Sequence, residues 1–342
     1  MTQADSMRSP EPLQEMLQLL NAHCVEQALH VVAVLGIADL LASAEQDVHE
    51  LAGATGAHGP SLYRVLRMLA GIGVFSEHPG SRFSLTALGD TLRSDVSHSV
   101  RDRAIFYGHP DMWRAWGNLP QSVMTGESAF EQVHRTPLYE YLSQRAEIGT
   151  PFHRYMSRTS EQHNAAIVAS YDFSSVGTVV DVGGGHGATL AAILAAHPSL
   201  RGVLFDLPEV ADQATHLSGD GLGERCTIIG GNMEQAVPPG GDAYLIKWVL
   251  MDRPDELAVR LLRNCAAAMN DQGRVVVVEM VMPPGGEPSF SKIMDVQMLI
   301  LFGGGRLRTE TEFRDLFAAA GLQLTRVIPT PSPNCVLEGV RA

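Results

Sequence analysis

Two groups of residues in this chain have the types and spacing to do chemistry. The first is the run Asp181-Val182-Gly183-Gly184-Gly185-His186-Gly187, set between an apolar strand-like segment, residues 178–182, and a helix-like one, residues 188–194. Glycines there let the backbone turn tightly and approach a ligand where a Cβ would block it. The second is Asp206, in Phe205-Asp206-Leu207-Pro208, about 25 residues after the loop begins and at the tip of the next strand-like segment. A carboxylate in that place accepts hydrogen bonds from the vicinal hydroxyls of a ribose. The pair reads as a nucleotide-cofactor site. A nicotinamide cofactor fits these residues too, and Asp206 could equally cap a helix before Pro208.

The elements that must position these residues alternate in period. After Tyr171, strand-like segments at 178–182, 202–207, 226–229, 243–250 and 274–280 are separated by helix-like ones, including 255–269 and 310–320. That βαβ alternation predicts an α/β fold with a mainly parallel sheet covered on both faces. The last segments, 325–330 and 334–340, read as a hairpin that adds an antiparallel edge.

The N-terminal half reads differently. Residues 12–41 are helical, with Leu13, Met16, Leu17, Leu20, Cys24, Ala28 and Val31 near the spacing of a buried stripe. Residues 48–52 and 61–69, joined through Gly56 and Gly59, read as a helix-turn-helix, and residues 73–77 and 82–86 as a two-stranded wing. A winged helix invites a DNA-binding reading, carried by Arg64 and Arg67. Packing or dimerisation is the competing role, and the overall charge favours it. Residues 92–170 are mostly helical and rich in aromatic and Met side chains, among them Tyr107, Trp113, Phe152 and Met156, which suit a core or a pocket for a flat apolar ligand.

The composition excludes several classes. With 342 residues, 45% hydrophobic and 18% charged, the chain is a globular protein long enough for two cores. A formal net charge of -13 argues against nucleic acid or an anionic membrane as partner. The four cysteines are dispersed, with no metal-site spacing, and point to a reduced, cytoplasmic protein without a metal. Residues 1–10 lack the apolar core of a signal peptide, and no apolar run of about 20 residues offers a spanning helix.

Taken in order, Val180 to Gly185, Phe205 to Pro208, Gly231-Asn232-Met233, Leu245 to Leu250, and Gly304 to Thr309 followed by Glu312-Phe313 resemble the class I S-adenosylmethionine-dependent small-molecule O-methyltransferases of plants and bacterial natural-product pathways. The resemblance covers nearly the whole chain. It implies a C-terminal doubly wound, Rossmann-like sheet binding S-adenosylmethionine (171–342), an N-terminal winged-helix dimerisation domain (1–100), and a helical connecting and pocket region (101–170). A homodimer and a small-molecule substrate follow from it. By position, Asp181, Gly183 and Gly185 approach the cofactor, Asp206 and Leu207 take the ribose, Asn232 and Met233 lie at the adenine, and Lys247 lies nearby. Asn232 stands where the family usually has Asp, and its amide oxygen still accepts from an adenine amino group. Phe152, Met156, Met298 and Phe302, with Tyr107 and Trp113, would wall the substrate.

The resemblance also exposes a departure. Where the family usually reads Val-Leu-His-Asp-Trp, with the His removing the substrate proton, this chain reads Val249-Leu250-Met251-Asp252-Arg253. A thioether cannot take that proton. Leu307 stands where the family has a carboxylate orienting the His, whereas Glu279 matches the other orienting carboxylate. A phenol ionises near a pKa of about 10, so its methylation near neutral pH gains about 10²- to 10⁴-fold from a positioned base. Three readings follow. Methyl transfer persists to a nucleophile that needs no His, an enolised carbon, a phenol-activated ring carbon or an amine, with C-methylation of a β-dicarbonyl or phenolic substrate favoured. O-methylation persists with a substitute base. Or the fold serves a non-methylating reaction, such as hydroxylation, decarboxylation or rearrangement, with the cofactor as an electrostatic or structural element. The candidate catalytic set is Met251, Asp252, Glu279, His109, His153 and Asp295.

Overall fold

A computed structural model describes residues 12–217 and 221–342, the side chain of Thr215 excepted. The stretch 1–10, read above for a leader, lies outside them. The described chain packs as two units, one of residues 12–113 with Arg145–Tyr155, the other of Arg114–Gln144 with Met156–Ala342.

The first unit opens with the helix Pro12–Val34, which stops where Gly36 takes a left-handed φ of 67° and restarts as Ile37–Leu40. Its apolar stripe is not buried as the spacing predicts. Leu13, Met16, Leu17 and Leu20 are exposed in the single chain, and burial begins only at Ala28. The helix-turn-helix forms as Val48–Thr55 and Gly59–Gly71. Asp47 caps the first of these, its Oδ1 accepting from the N–H groups of His49 and Glu50 while Glu50 answers at the Asp47 N–H. The wing consists of β2 (Phe75–His78) and β3 (Arg82–Leu85), with β1 (Gln46–Asp47) added beside β3. Leu51, Leu62, Leu66, Leu69, Phe75 and Phe83 meet in one core beneath them. Arg67 lays its guanidinium over the Tyr63 ring, 5.3 Å from the centroid.

The second unit is built on seven strands, β4 (Thr178–Val182), β5 (Arg201–Asp206), β6 (Cys226–Gly230), β7 (Ala243–Lys247), β8 (Arg274–Glu279), β9 (Leu322–Pro329) and β10 (Cys335–Arg341), in the spatial order 6-5-4-7-8-10-9. The first five run parallel, and β10 enters antiparallel between β8 and β9. Alternate residues divide between two cores. Tyr244, Ile246, Val275 and Val277 face the helices Asp255–Ala268 and Glu310–Ala319, and Leu245, Val276 and Val278 face Leu190 and Ile193 of the helix Ala188–Ala196. A strand buried on both faces needs apolar residues in unbroken runs, which is why 275–278 read Val-Val-Val-Val. No helix of the described residues is long and apolar enough to cross a membrane.

The strand expected over 243–250 is shorter, ending at Lys247. Trp248 adopts a left-handed φ of 56°, rare for a bulky side chain, and the chain turns into a short 3-10 segment, Leu250–Asp252. The indole N–H of Trp248 donates to Asn334 Oδ1 at 2.7 Å and Lys247 Nζ lies 3.7 Å from its ring centroid, contacts that hold the strained residue.

At the far edge, a Cβ added to Gly339 would overlap the Phe317 ring, which is fully buried and cannot yield. Gly339→Ala is therefore expected to lose about 1–3 kcal/mol by overpacking. A lowered urea midpoint for the second unit checks it, and an unchanged midpoint refutes the packing argument.

Candidate active site

The reversal of strand order lies between β4 and β7, and in open α/β sheets ligands bind at the carboxyl ends of the strands there. Four neighbouring strands each deliver an ionisable residue to that edge. In the spatial order β5, β4, β7, β8 these are Asp206, Asp181, Lys247 and Glu279.

Asp181 is buried, and its Oδ2 has no hydrogen-bond partner among the described residues. Burial pushes its carboxyl up to about 7, with Lys247 opposing and Asp206 adding to the rise. Burial likewise pulls the Lys247 ammonium down to about 7, against the attraction of Asp181 and Glu279. Lys247 Nζ donates to Ser160 Oγ at 2.7 Å. Asp206 is raised by burial, while the N–H groups of Gly185 and Leu207 donate to its two oxygens at 2.8 and 2.7 Å. The loop between β4 and its helix takes left-handed φ at Gly183, Gly185 and Gly187. A Cβ at Gly183 would press on Val249 and stand 3.2 Å from Met233 Cε, whereas Gly185 faces open space. Met233 is buried, and Arg253 Nη2 lies 3.5 Å from its sulfur. Asn232 turns its Oδ1 to the Glu234 N–H at 2.8 Å, and Leu207 is exposed. The fold thus brings the loop, Asp206, Met233 and Lys247 to one end of the sheet.

Met251 is buried in the turn after β7. Two buried groups hold that turn through its backbone. Glu279 Oε1 accepts from the N–H groups of Leu250 and Met251 at 3.0 and 3.2 Å. Arg308, 1% exposed, donates to the Leu250 and Arg253 carbonyls at 2.7 and 2.9 Å and closes on Asp255 Oδ1. Asp252 Oδ2 accepts from the Tyr139 hydroxyl at 2.5 Å, and the half-exposed Tyr139 ring lies 5.5 Å from Phe302. Burial pushes Asp252 up to about 7, with Tyr139 and Arg253 opposing, and pushes Glu279 up to about 8, with Asp252 adding to the rise.

The remaining candidates divide between the two units. Asp295 Oδ1 accepts from the Leu307 N–H at 2.8 Å. Met298 is buried on the helix Phe290–Leu301, with Phe302 just after it, and Met156 begins the second unit's share of the helix Ala146–Ser170. His109, His153, Tyr107, Phe152 and Trp113 belong to the first unit. There the Phe106 ring meets those of Tyr107 and Phe152 at 5.0 Å, His153 meets Phe152 edge-on at 5.4 Å, and the Asp111 N–H donates to His109 Nδ1 at 3.3 Å. Tyr139 escaped the sequence reading because Leu138-Tyr139-Glu140-Tyr141 carries no motif. Arg308 lay within a quoted motif, and only its burial reveals that it holds the turn.

Comparison with known proteins agrees with this architecture. Residues 17–95 match the O-methyltransferase dimerisation domain and residues 116–323 the O-methyltransferase domain. The phenazine O-methyltransferase PhzM of Lysobacter antibioticus is 43% identical over 324 residues, 94% of each chain. The chain belongs to the O-methyltransferase family. The 8-amino-8-demethylriboflavin N,N-dimethyltransferase of Streptomyces davaonensis is 37% identical to it over 315 residues, 91% of this chain and 90% of that one. A solved O-methyltransferase from neocarzinostatin biosynthesis, in complex with S-adenosylmethionine and 2-hydroxy-5-methyl naphthoic acid, matches at a TM-score of 0.82 and 33% identity, covering 93% of this chain and 96% of that one. This O-methyltransferase-family protein is a methyltransferase, and its cofactor is S-adenosylmethionine. The residues present fit that cofactor. The unpartnered Asp181 oxygen calls for a hydrogen-bond donor, and the space at Gly185 lies beside the Asp206 carboxylate. The exposed apolar face of the first helix overlaps the dimerisation domain, which accounts for a stripe that one chain leaves uncovered.

Glu279 yields a pH test. Unfolded, its carboxyl would ionise near 4.5, and folded it keeps its proton to about 8. Between those values the native state binds more protons than the unfolded one, so this group lowers stability as pH rises across the window. Glu279→Gln keeps an oxygen for the two N–H groups and removes the titration. Its urea midpoint should therefore fall less steeply than the wild type's between about pH 4.5 and 8, and parallel curves would refute the raised value.

Proposed function

We propose that this protein transfers the methyl group of S-adenosylmethionine to a ring-borne oxygen or nitrogen of a flat, fused aromatic natural-product intermediate, without a histidine base. The observation that carries this reading is Met251, buried in a turn fixed by Glu279 and Arg308, at the position where the family resemblance expects the proton-removing His. When bound, S-adenosylmethionine supplies an electrophilic methyl on a positively charged sulfur. Asp181, Gly183, Gly185, Asp206, Leu207, Asn232, Met233 and Lys247 would hold it. Met251 gives shape, not basicity, so rate arises chiefly from holding an acceptor at near-attack distance in a pocket that excludes water.

Carbon was the acceptor favoured by the sequence. The relatives named above are an O-methyltransferase and an N,N-dimethyltransferase, which moves the preference to a heteroatom. An arylamine uses its own lone pair, and an electron-poor hydroxyarene ionises more readily than a simple phenol, so neither depends on His as phenol does.

Incubation with methyl-labelled cofactor and a panel of hydroxy- and amino-substituted fused arenes, with β-dicarbonyls alongside, tests the reading. Label on oxygen or nitrogen is expected. Label on carbon restores the earlier preference, and no transfer despite tight cofactor binding supports the non-methylating alternative. Met251→His should add activity on weakly acidic phenols, by about 10-fold or more if an imidazole there can act as base. The cofactor assignment has its own check: Asp206→Ala should weaken binding in calorimetry by about 10-fold, the scale of one charge-assisted hydrogen bond. Unchanged affinity would remove Asp206 from the site.

A further inference from the structure

Methylating an N–H or O–H acceptor releases a proton, and Met251 cannot take it. We propose that Asp252 accepts that proton and that Tyr139 is the positioning residue that aims its carboxylate, an inference that rests on the methyl-transfer reading above.

Asp252 directly follows Met251 in the same clamped turn, so it is held by the same two groups, Glu279 and Arg308. Its Oδ2 is engaged by the Tyr139 hydroxyl, and Oδ1 takes no hydrogen bond from the described residues. One oxygen is anchored and the other is available. Tyr139 comes from the short helix Leu138–Ser143, and its ring packs on Phe302, one of the residues expected to wall the substrate. The pair therefore lies where the turn and the proposed substrate wall meet. The ionisable groups acting on it are Tyr139 and Arg253, which favour the charged carboxylate, and Glu279, which is itself pushed up by Asp252. Asp206 acts in turn on Tyr139. Burial places the Asp252 carboxyl near neutrality, at about 7, close to the operating pH that suits a proton acceptor. Although the Tyr139 ring is half-exposed, desolvation around its hydroxyl and the adjacent Asp252 carboxylate hold that hydroxyl well above the usual phenol range, so it stays a donor.

The step balances without another reagent. The acceptor's lone pair forms the new bond to the methyl carbon as the carbon–sulfur pair stays with sulfur. The acceptor's N–H or O–H bond breaks, its electrons remain on the heteroatom, and the proton bonds to Asp252 Oδ1. Tyr139 keeps its own proton throughout.

The test uses the whole protein, the acceptor found with labelled cofactor, and two variants, Asp252→Asn and Tyr139→Phe. Asp252→Asn should bind S-adenosylmethionine as the wild type does in calorimetry, lower kcat by about 10²-fold or more, and abolish the rise of kcat/KM with pH near 7. Tyr139→Phe removes a hydrogen bond that favours the carboxylate, so that rise should move to higher pH. In the cofactor-free protein, the ¹³C titration of the Asp252 carboxyl should move the same way. An Asp252→Asn enzyme within threefold of wild type and with its pH rise intact overturns the proposal while leaving the methyl-transfer reading standing. A wild-type protein that methylates nothing overturns both. Should Asp252→Asn fail to bind cofactor, Tyr139→Phe decides: an unmoved pH rise and an unmoved carboxyl titration refute the assignment.

Discussion

Two buried groups of opposite charge type converge on the backbone of one four-residue turn after β7. Glu279 takes the N–H groups of Leu250 and Met251, and Arg308 takes the carbonyls of Leu250 and Arg253. Neither group could lie buried for packing alone, since an unpaired charge in that environment costs several kcal/mol. Arg308 offsets its burial with Asp255 and two carbonyls, and Glu279 with two backbone donors and a carboxyl raised to about 8. Their common partner is the turn's backbone. The geometry at Met251 and Asp252 is therefore fixed whatever side chains those positions carry.

The cofactor half of the site has a different origin. Parallel strands all point their carboxyl ends one way, so Asp206, Asp181, Lys247 and Glu279 form a row because of where each strand stops, not because any of them seeks another. Once adjacent, they share a field. Lys247 stands between Asp181 and Glu279, whose attraction works against the desolvation that pulls its ammonium down to about 7. In that row Asp181 Oδ2 lies buried without a hydrogen-bond partner among the described residues.

Sequence legibility followed the same division. The parallel strands were readable because two-sided burial demands unbroken apolar runs, as in Val275 to Val278, and the loop was readable because Gly183, Gly185 and Gly187 all take left-handed φ. The end of β7 was not readable. Trp248 has no intrinsic preference for φ 56°, and the contacts that hold it there come from Asn334, more than eighty residues away in the chain. Tyr139 was invisible for a similar reason, since its partner Asp252 lies far along the chain and no periodicity couples them. The stripe on the first helix was legible as an apolar face that needs a partner, but spacing says nothing of whose it is, and in the single chain Leu13, Met16, Leu17 and Leu20 are exposed.

The strand-end row and the turn rest on separate constructions. The row of strand-end residues depends on sheet register, and a substitution in the turn leaves register untouched. The turn depends on its backbone hydrogen bonds to Glu279 and Arg308, and none of those uses a side-chain atom of residue 251. The thioether of Met251 takes no part in those hydrogen bonds, which use the main chain alone. What remains beside it is Asp252, on the same fixed backbone and bound to a tyrosine from another helix. A scaffold arranged in this way holds the row through sheet register and the turn through backbone hydrogen bonds, so a side chain exchanged in one leaves the supports of the other in place.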